Sequence, residues 1–113
     1  MTQFDIIIIG AGAAGMTASI FTARKKLKTA VITTDIGGQT NLTNHIENYP
    51  GYEEKNGYKL MKRFEQQATK AGAQFIFGKV EQIQIKKQQE IQVILTNKEV
   101  YTAQSLILAV GKI

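Results

Sequence analysis

The sequence predicts an α/β fold in which a central parallel sheet carries a three-stranded antiparallel β-meander. Three observations predict it. An unbroken apolar run, Ile6 to Ile9, opens directly into Gly10-Ala11-Gly12-Ala13-Ala14-Gly15. Strand, helix and strand textures follow one another within about 30 residues, the size of a βαβ unit. Beyond Lys79 the pattern changes to short alternating segments, before a last apolar stretch from Ser105 to Gly111.

Taken in order, Phe4 to Ile9 reads as a strand apolar on both faces, as central parallel strands are. Ala14 to Lys26 reads as a helix, with Met16, Ile20 and Ala23 on one side and a basic end that suits the negative helix C-terminus. Thr29 to Thr33 is a second short strand, so these pieces form a βαβ unit of right-handed connection. Residues 34–56 hold Gly37-Gly38, Asn41, Asn44, Asn48 and Pro50-Gly51, a loop too long to be an idle connection. Gly57 to Ala71 resumes helical spacing, with Leu60, Phe64, Ala68 and Ala71 on one side, and Gly72 stops it. Gln74 to Phe77 follows as a strand. Val80 to Ile85, Ile91 to Leu95 and Val100-Tyr101 read as the meander, and Ser105 to Gly111 as a further central parallel strand.

Composition removes several functions. The 113 residues include no cysteine, so the chain itself carries no thiol nucleophile, zinc–cysteine site or redox dithiol. Its apolar run near the N-terminus falls far short of the roughly 20 residues that cross a bilayer, and no signal-like segment precedes it. A cytoplasmic chain without a membrane partner is expected. The net charge of +5 is spread over Arg24-Lys25-Lys26-Lys28, Lys59-Lys62-Arg63, Lys70 and Lys86-Lys87, without interleaved aromatics. Solvated helix faces explain that spread better than nucleic acid does.

The glycines carry the chemistry. In a G-x-G-x-x-G set between strand and helix, Gly10 turns the chain off the strand and Gly12 lets a pyrophosphate approach the backbone. Gly15 lets the helix pack closely. Unpaired N–H groups at the helix start then face an anion, aided by about 0.3 to 2 kcal/mol from the helix dipole. The alternative is a turn that only tightens βα packing. A ribose partner is expected at the end of the second strand, and Thr33 or Asp35 can serve. On this pattern alone NAD, NADP and FAD all remain open. His45 and Tyr49 read as loop residues, Met16 and Met61 as helix packing.

Gly37-Gly38-Gln39-Thr40 followed by Glu47-Asn48-Tyr49-Pro50-Gly51, together with Ile6 to Gly15, Gly57 to Leu60 and Leu106 to Gly111, resembles the FAD-binding half of the low-molecular-weight thioredoxin reductases. These belong to the class II pyridine nucleotide-disulfide oxidoreductases. The resemblance implies a Rossmann-like FAD/NAD(P)-binding fold. By position it implies FAD lined by Gly10, Gly12, Ala13, Ala14 and Gly15 at the diphosphate and by Thr33 or Asp35 at the ribose. Gly38 and Gln39 would lie beside the diphosphate and flavin, Asn48 at the flavin ring and Val80 near the adenine. Ala109 and Gly111 would close the cofactor from the last strand. Gln39 and Asn48 each offer a donor and an acceptor, as a flavin edge requires.

The chain departs from the family pattern at Ala13, where proline is common, and at Val110, where threonine is common. No residue of this chain is expected to be catalytic or to bind a metal. The resemblance also implies an N-terminal part of an FAD-binding domain, spanning 1–113 and incomplete at its C-terminal end. An NADPH-binding domain and a final FAD segment would lie elsewhere in a protein about three times as long. NADPH would then reduce FAD, and FAD a disulfide on a thioredoxin-like protein or another acceptor, within a homodimer. This portion alone is expected to be inactive. Its competitors are a stand-alone NAD(P) or nucleotide module and an inert fragment that self-associates through a sheet edge.

Overall fold

A computed structural model describes residues 2–34, 57–87 and 90–110. The strands are β1 (Thr2–Ile9), β2 (Thr29–Thr33), β3 (Gln74–Phe77), β4 (Val80–Ile85), β5 (Ile91–Leu95) and β6 (Val100–Leu108). The helices are α1 (Ala13–Arg24) and α2 (Gly57–Ala71). They build a six-stranded sheet in the order β3-β2-β1-β6-β5-β4. β3, β2, β1 and β6 run parallel, while β5 and β4 are antiparallel additions beside β6.

The apolar run of β1 is buried on both faces because each face has its own cover. Ile6 and Ile8 pack with Val31 against Met16 of α1 and Leu60, Met61 and Phe64 of α2. Ile7 and Ile9 pack with Ala30 and Ile32 against Val93, Leu95 and Ala103 of the meander. Full burial of each isoleucine contributes about 1.5 to 3 kcal/mol, so this strand is the centre of the fold.

β3 and β4 lie at opposite edges of the sheet, yet only Gly78 and Lys79 join them. The sheet therefore curls until its edges come together on the face away from the helices. The Gly78 N–H donates to the Thr33 carbonyl at 2.9 Å, and the Lys79 carbonyl accepts from the Thr96 N–H at 2.9 Å. A Cβ on Gly78 would stand 2.8 Å from Leu95 Cδ1. The result is three layers: helices, parallel strands and meander.

The structure changes two of the expected elements. The third meander strand and the last central strand are one strand, β6, which pairs antiparallel with β5 over Val100 to Ala103 and parallel with β1 between Tyr101 and Leu108. Nothing in Thr102-Ala103-Gln104 stops a strand, so the chain continues from one role into the other. The alternation of faces breaks in β1 alongside. Phe4 and Ile6 fall on opposite faces, and the N–H groups of Asp5 and Ile6 both donate to the Lys28 carbonyl, at 2.9 and 3.2 Å. Two successive donors on one acceptor mark a bulge-like irregularity.

Helix α1 ends at Arg24 rather than Lys26. Lys26 takes φ +64°, its N–H donates to the Ala23 carbonyl at 2.9 Å, and the Leu27 N–H donates to the Thr22 carbonyl at 3.1 Å. That pair of bonds is a Schellman closure. The remaining strand and helix expectations agree with the observed elements, β1 starting two residues earlier. The expected loop at 34–56 lies outside the described residues apart from its first.

Candidate functional site

The C-terminal ends of β1, β2 and β6 meet at the N-terminus of α1, and the contacts are between backbones. The Gly10 N–H donates to the Ile32 carbonyl at 2.9 Å, and the Ala109 N–H donates to the Ile9 carbonyl at 2.8 Å. Gly10 has φ +105°, and a Cβ there would stand 2.2 Å from the Ala109 oxygen. A Cβ on Gly15 would stand 2.0 Å from the Gly10 oxygen. These two glycines are demanded by the protein itself. Gly15 serves the closure of its own turn as much as the packing of helix on sheet.

Gly12 is different. As N-cap of α1 it has φ −75° and ψ −172°, extended backbone that any residue adopts, and its carbonyl accepts from the Met16 N–H at 2.9 Å. Among the described residues no side chain caps the helix, and its first turn contains no acid. The first-turn amides have no acceptor within the helix. Ala13 and Ala14 leave them sterically open, both being small and exposed. Backbone donors, a helix dipole and absent Cβ bulk suit the diphosphate of a dinucleotide.

Thr33, the last residue of β2, is buried, and its carbonyl accepts from Gly78, which brings the start of β4 to the same end of the sheet. Val80, the first residue of β4, is half-buried against the meander-side core. Ala109 is half-buried beside the helix-side core, and Val110 is exposed. Asp35, Gly38, Gln39, Asn48 and Gly111, like His45 and Tyr49, lie outside the described residues.

Three supporting groups escaped the sequence reading. The carbonyls of Ile9 and Ile32 lock the glycine turn to its neighbouring strands, and no side chain signals them. Ser19, fully buried, donates its hydroxyl to the Met16 carbonyl at 2.7 Å and so lets a polar residue face the sheet. Among the described residues there is no cluster that could hold a metal ion, and no helix is long and apolar enough to cross a membrane.

The curled sheet, its helices and the glycine turn define a Rossmann-like nucleotide-binding fold. The family model for pyridine nucleotide-disulphide oxidoreductases matches residues 4–112, and the chain belongs to that family. A thioredoxin reductase of Bacillus subtilis is 39% identical over 109 residues, covering 96% of this chain and 34% of its own length. The structure of a thioredoxin reductase from Streptococcus pyogenes superposes with a TM-score of 0.90 at 36% identity, over 97% of this chain and 36% of that one. One from Gloeobacter violaceus gives 0.89 at 30% identity, over 99% and 36%. The chain thus spans about a third of the length of the relatives it matches.

Proposed function

We propose that this chain is the FAD-binding portion of an NAD(P)H-dependent, thioredoxin reductase-type flavoprotein. The observation that carries the reading is the contrast within the glycine turn. Gly10 and Gly15 are required by backbone packing, whereas Gly12 has a conformation open to any residue at the mouth of an uncapped helix. A glycine in a conformation that any residue adopts, set at a helix N-terminus, is explained by a ligand that comes close to it.

In this reading the amides of Gly12, Ala13, Ala14 and Gly15 bind the diphosphate. Thr33 or Asp35 takes the ribose, Val80 borders the adenine, and Gly38, Gln39 and Asn48 orient the flavin end. Ala109 and Gly111 close the site from β6. FAD, when bound, supplies the capacity to accept a hydride and pass two electrons to a disulfide. The role of this chain is to hold and orient the cofactor and to shield its phosphates from bulk water. With no cysteine of its own, the chain draws the disulfide, and the NADPH-binding domain with it, from beyond these 113 residues. Hydride transfer then belongs to a longer form acting on a thioredoxin-like protein, as a homodimer in the cytoplasm, and this portion alone does not turn over.

The test is titration of the purified chain with FAD and, separately, with NADH. The expected result is a perturbed visible flavin spectrum and tighter binding of FAD. Tighter NADH binding would assign the site to a stand-alone nicotinamide-nucleotide module and overturn the proposal. So would a flavin spectrum left unchanged at high micromolar FAD.

A further inference from the structure

We infer that Gly78 is a positioning residue for the adenosine end of the site: by leaving room for Leu95, it sets how closely the β3–β4 crossing lies against the end of β2. The inference rests on the FAD-binding reading and adds to it a residue outside the cofactor contacts.

The crossing consists of Gly78 and Lys79 alone, and backbone holds it on two sides. The Gly78 N–H donates to the Thr33 carbonyl and the Lys79 carbonyl accepts from the Thr96 N–H, both at 2.9 Å. The crossing thus bridges the end of β2 and the β5–β6 turn. Val80 follows at once. It pairs with Leu95, and the register of β4 shifts between Val80 and Gln82. Val80 is set off from the regular ladder by that shift, so its place depends on the crossing before it.

Leu95 underlies both ends of this short segment. It is the strand partner of Val80, and its Cδ1 would stand 2.8 Å from a Cβ on Gly78, against about 3.5 to 4.0 Å for ordinary carbon–carbon contact. The leucine has little room to retreat, being 1% exposed in the core with Ile7, Ile9, Ile32 and Val93. Backbone conformation does not call for glycine here, since Gly78 lacks the positive φ of Gly10. The obstacle also differs: a Cβ on Gly10 or Gly15 meets backbone oxygen, whereas one on Gly78 meets a single side chain. A side chain at 78 therefore either shifts Leu95 within the core or lifts the crossing away from β2. Lifting it parts Thr33, a ribose candidate, from Val80 at the adenine border, and binding groups must be held to within about 0.5 Å.

Gly78→Ala, Leu95→Val and the double variant test this. FAD affinity, displacement of FAD by ADP, the visible spectrum of the bound flavin and urea denaturation are read on each. The new methyl meets the end of a flexible side chain, so Gly78→Ala is expected to fold. It should weaken FAD and ADP alike by at least about fivefold, while flavin bound at saturation keeps the parent spectrum. Made in the Leu95→Val background, which takes away the Cδ1, the same substitution should change either affinity by less than about twofold. Equal losses in both backgrounds overturn the inference, because the glycine would then act without Leu95. So does a loss accompanied by an altered flavin spectrum, the mark of a general distortion. A Gly78→Ala chain too unstable to titrate overturns it too, since the contact would then hold the fold rather than the spacing. A parent that binds no FAD at high micromolar concentration overturns the FAD reading and this inference with it. A parent that binds FAD, with a Gly78→Ala variant that binds it equally well, overturns the inference alone.

Discussion

At its C-terminal end, helix α1 is closed by its own chain: the Schellman bonds at Lys26 and Leu27 take up the last carbonyls, and the Thr22 and Thr29 hydroxyls lie 2.9 Å apart across to β2. At its N-terminal end nothing of the kind is present among the described residues; the cap is a bare glycine and the first turn is alanine, alanine and glycine. The two ends also use positive φ differently. Gly10 at +105° is glycine, whereas Lys26 at +64° is lysine. Positive φ alone therefore does not decide the residue. Lys26 lies in the small left-handed region that an L-residue reaches at modest cost, whereas Gly10 lies beyond it and, in addition, has the Ala109 oxygen where its Cβ would stand.

The strongest way to break this contrast is to add a Cβ where backbones meet. Gly10→Ala and Gly15→Ala are each expected to cost about 2 to 5 kcal/mol, from overpacking and, at Gly10, backbone strain as well. That is a large fraction of the stability of a small domain and is measurable by urea denaturation. A loss below about 1 kcal/mol at both positions would show that the β1–α1–β6 junction relaxes freely, contrary to the 2.2 and 2.0 Å approaches.

Gly12→Ala probes the open end with a smaller effect of a different kind. Stability should change by less than about 0.5 kcal/mol, because the backbone there is extended, while FAD affinity falls at least about tenfold. Flavin titration and denaturation of the same sample separate the two quantities. Equal losses in both would mean that the fold, not the ligand, requires this glycine.

The closed end should respond in the opposite direction. Lys26→Gly removes the cost of a left-handed lysine and is expected to stabilise by about 1 kcal/mol, or about 4 °C in Tm. Lys98 presents the same conformation, φ +74°, in the β5–β6 turn. Lys98→Gly should gain less, about 0.5 kcal/mol, since it also gives up the exposed ion pair with Glu81 at 2.9 Å. No gain from either variant would show that the turns tolerate lysine through contacts beyond the backbone.

Much of this contrast was legible in the sequence, and the rest was not for identifiable reasons. The run Ile6 to Ile9 and the spacing of the glycines placed β1, α1 and the turn, because periodicity and missing side chains leave a direct mark on composition. The merging of Tyr101 with Ser105 into one strand was not legible. Thr102-Ala103-Gln104 is compatible with strand or loop, and only tertiary pairing with β1 decides. The shift in β4 did leave a mark: Val80 and Ile83 break strict alternation, which matches the irregularity between Val80 and Gln82. Lys26 gave no warning of a helix end, since a lysine there reads as continuation. Within the site, Thr33, Val80 and Ala109 do come to one end of the sheet, but the carbonyls that hold the turn have no side-chain signature.

The smallest effect belongs to the far end of the sheet, where Tyr101 donates its hydroxyl to Glu99 Oε2 and packs its ring 6.4 Å from that of Phe4. The hydrogen bond to Glu99 holds the phenol above its ordinary value of 10.0, with burial and the negative charge of Glu99 adding in the same direction. A raised value in the folded state favours the protonated phenol, so the stabilisation is fully present below about pH 10 and is lost as pH rises through the folded value. Tyr101→Phe should therefore be slightly less stable than the parent near pH 8, and the difference in Tm between the two should shrink above about pH 10. Taking the difference cancels the lysines that titrate in the same range. A difference that stays constant with pH would assign the effect to ring packing on Phe4 alone and leave the hydrogen bond without a role in stability.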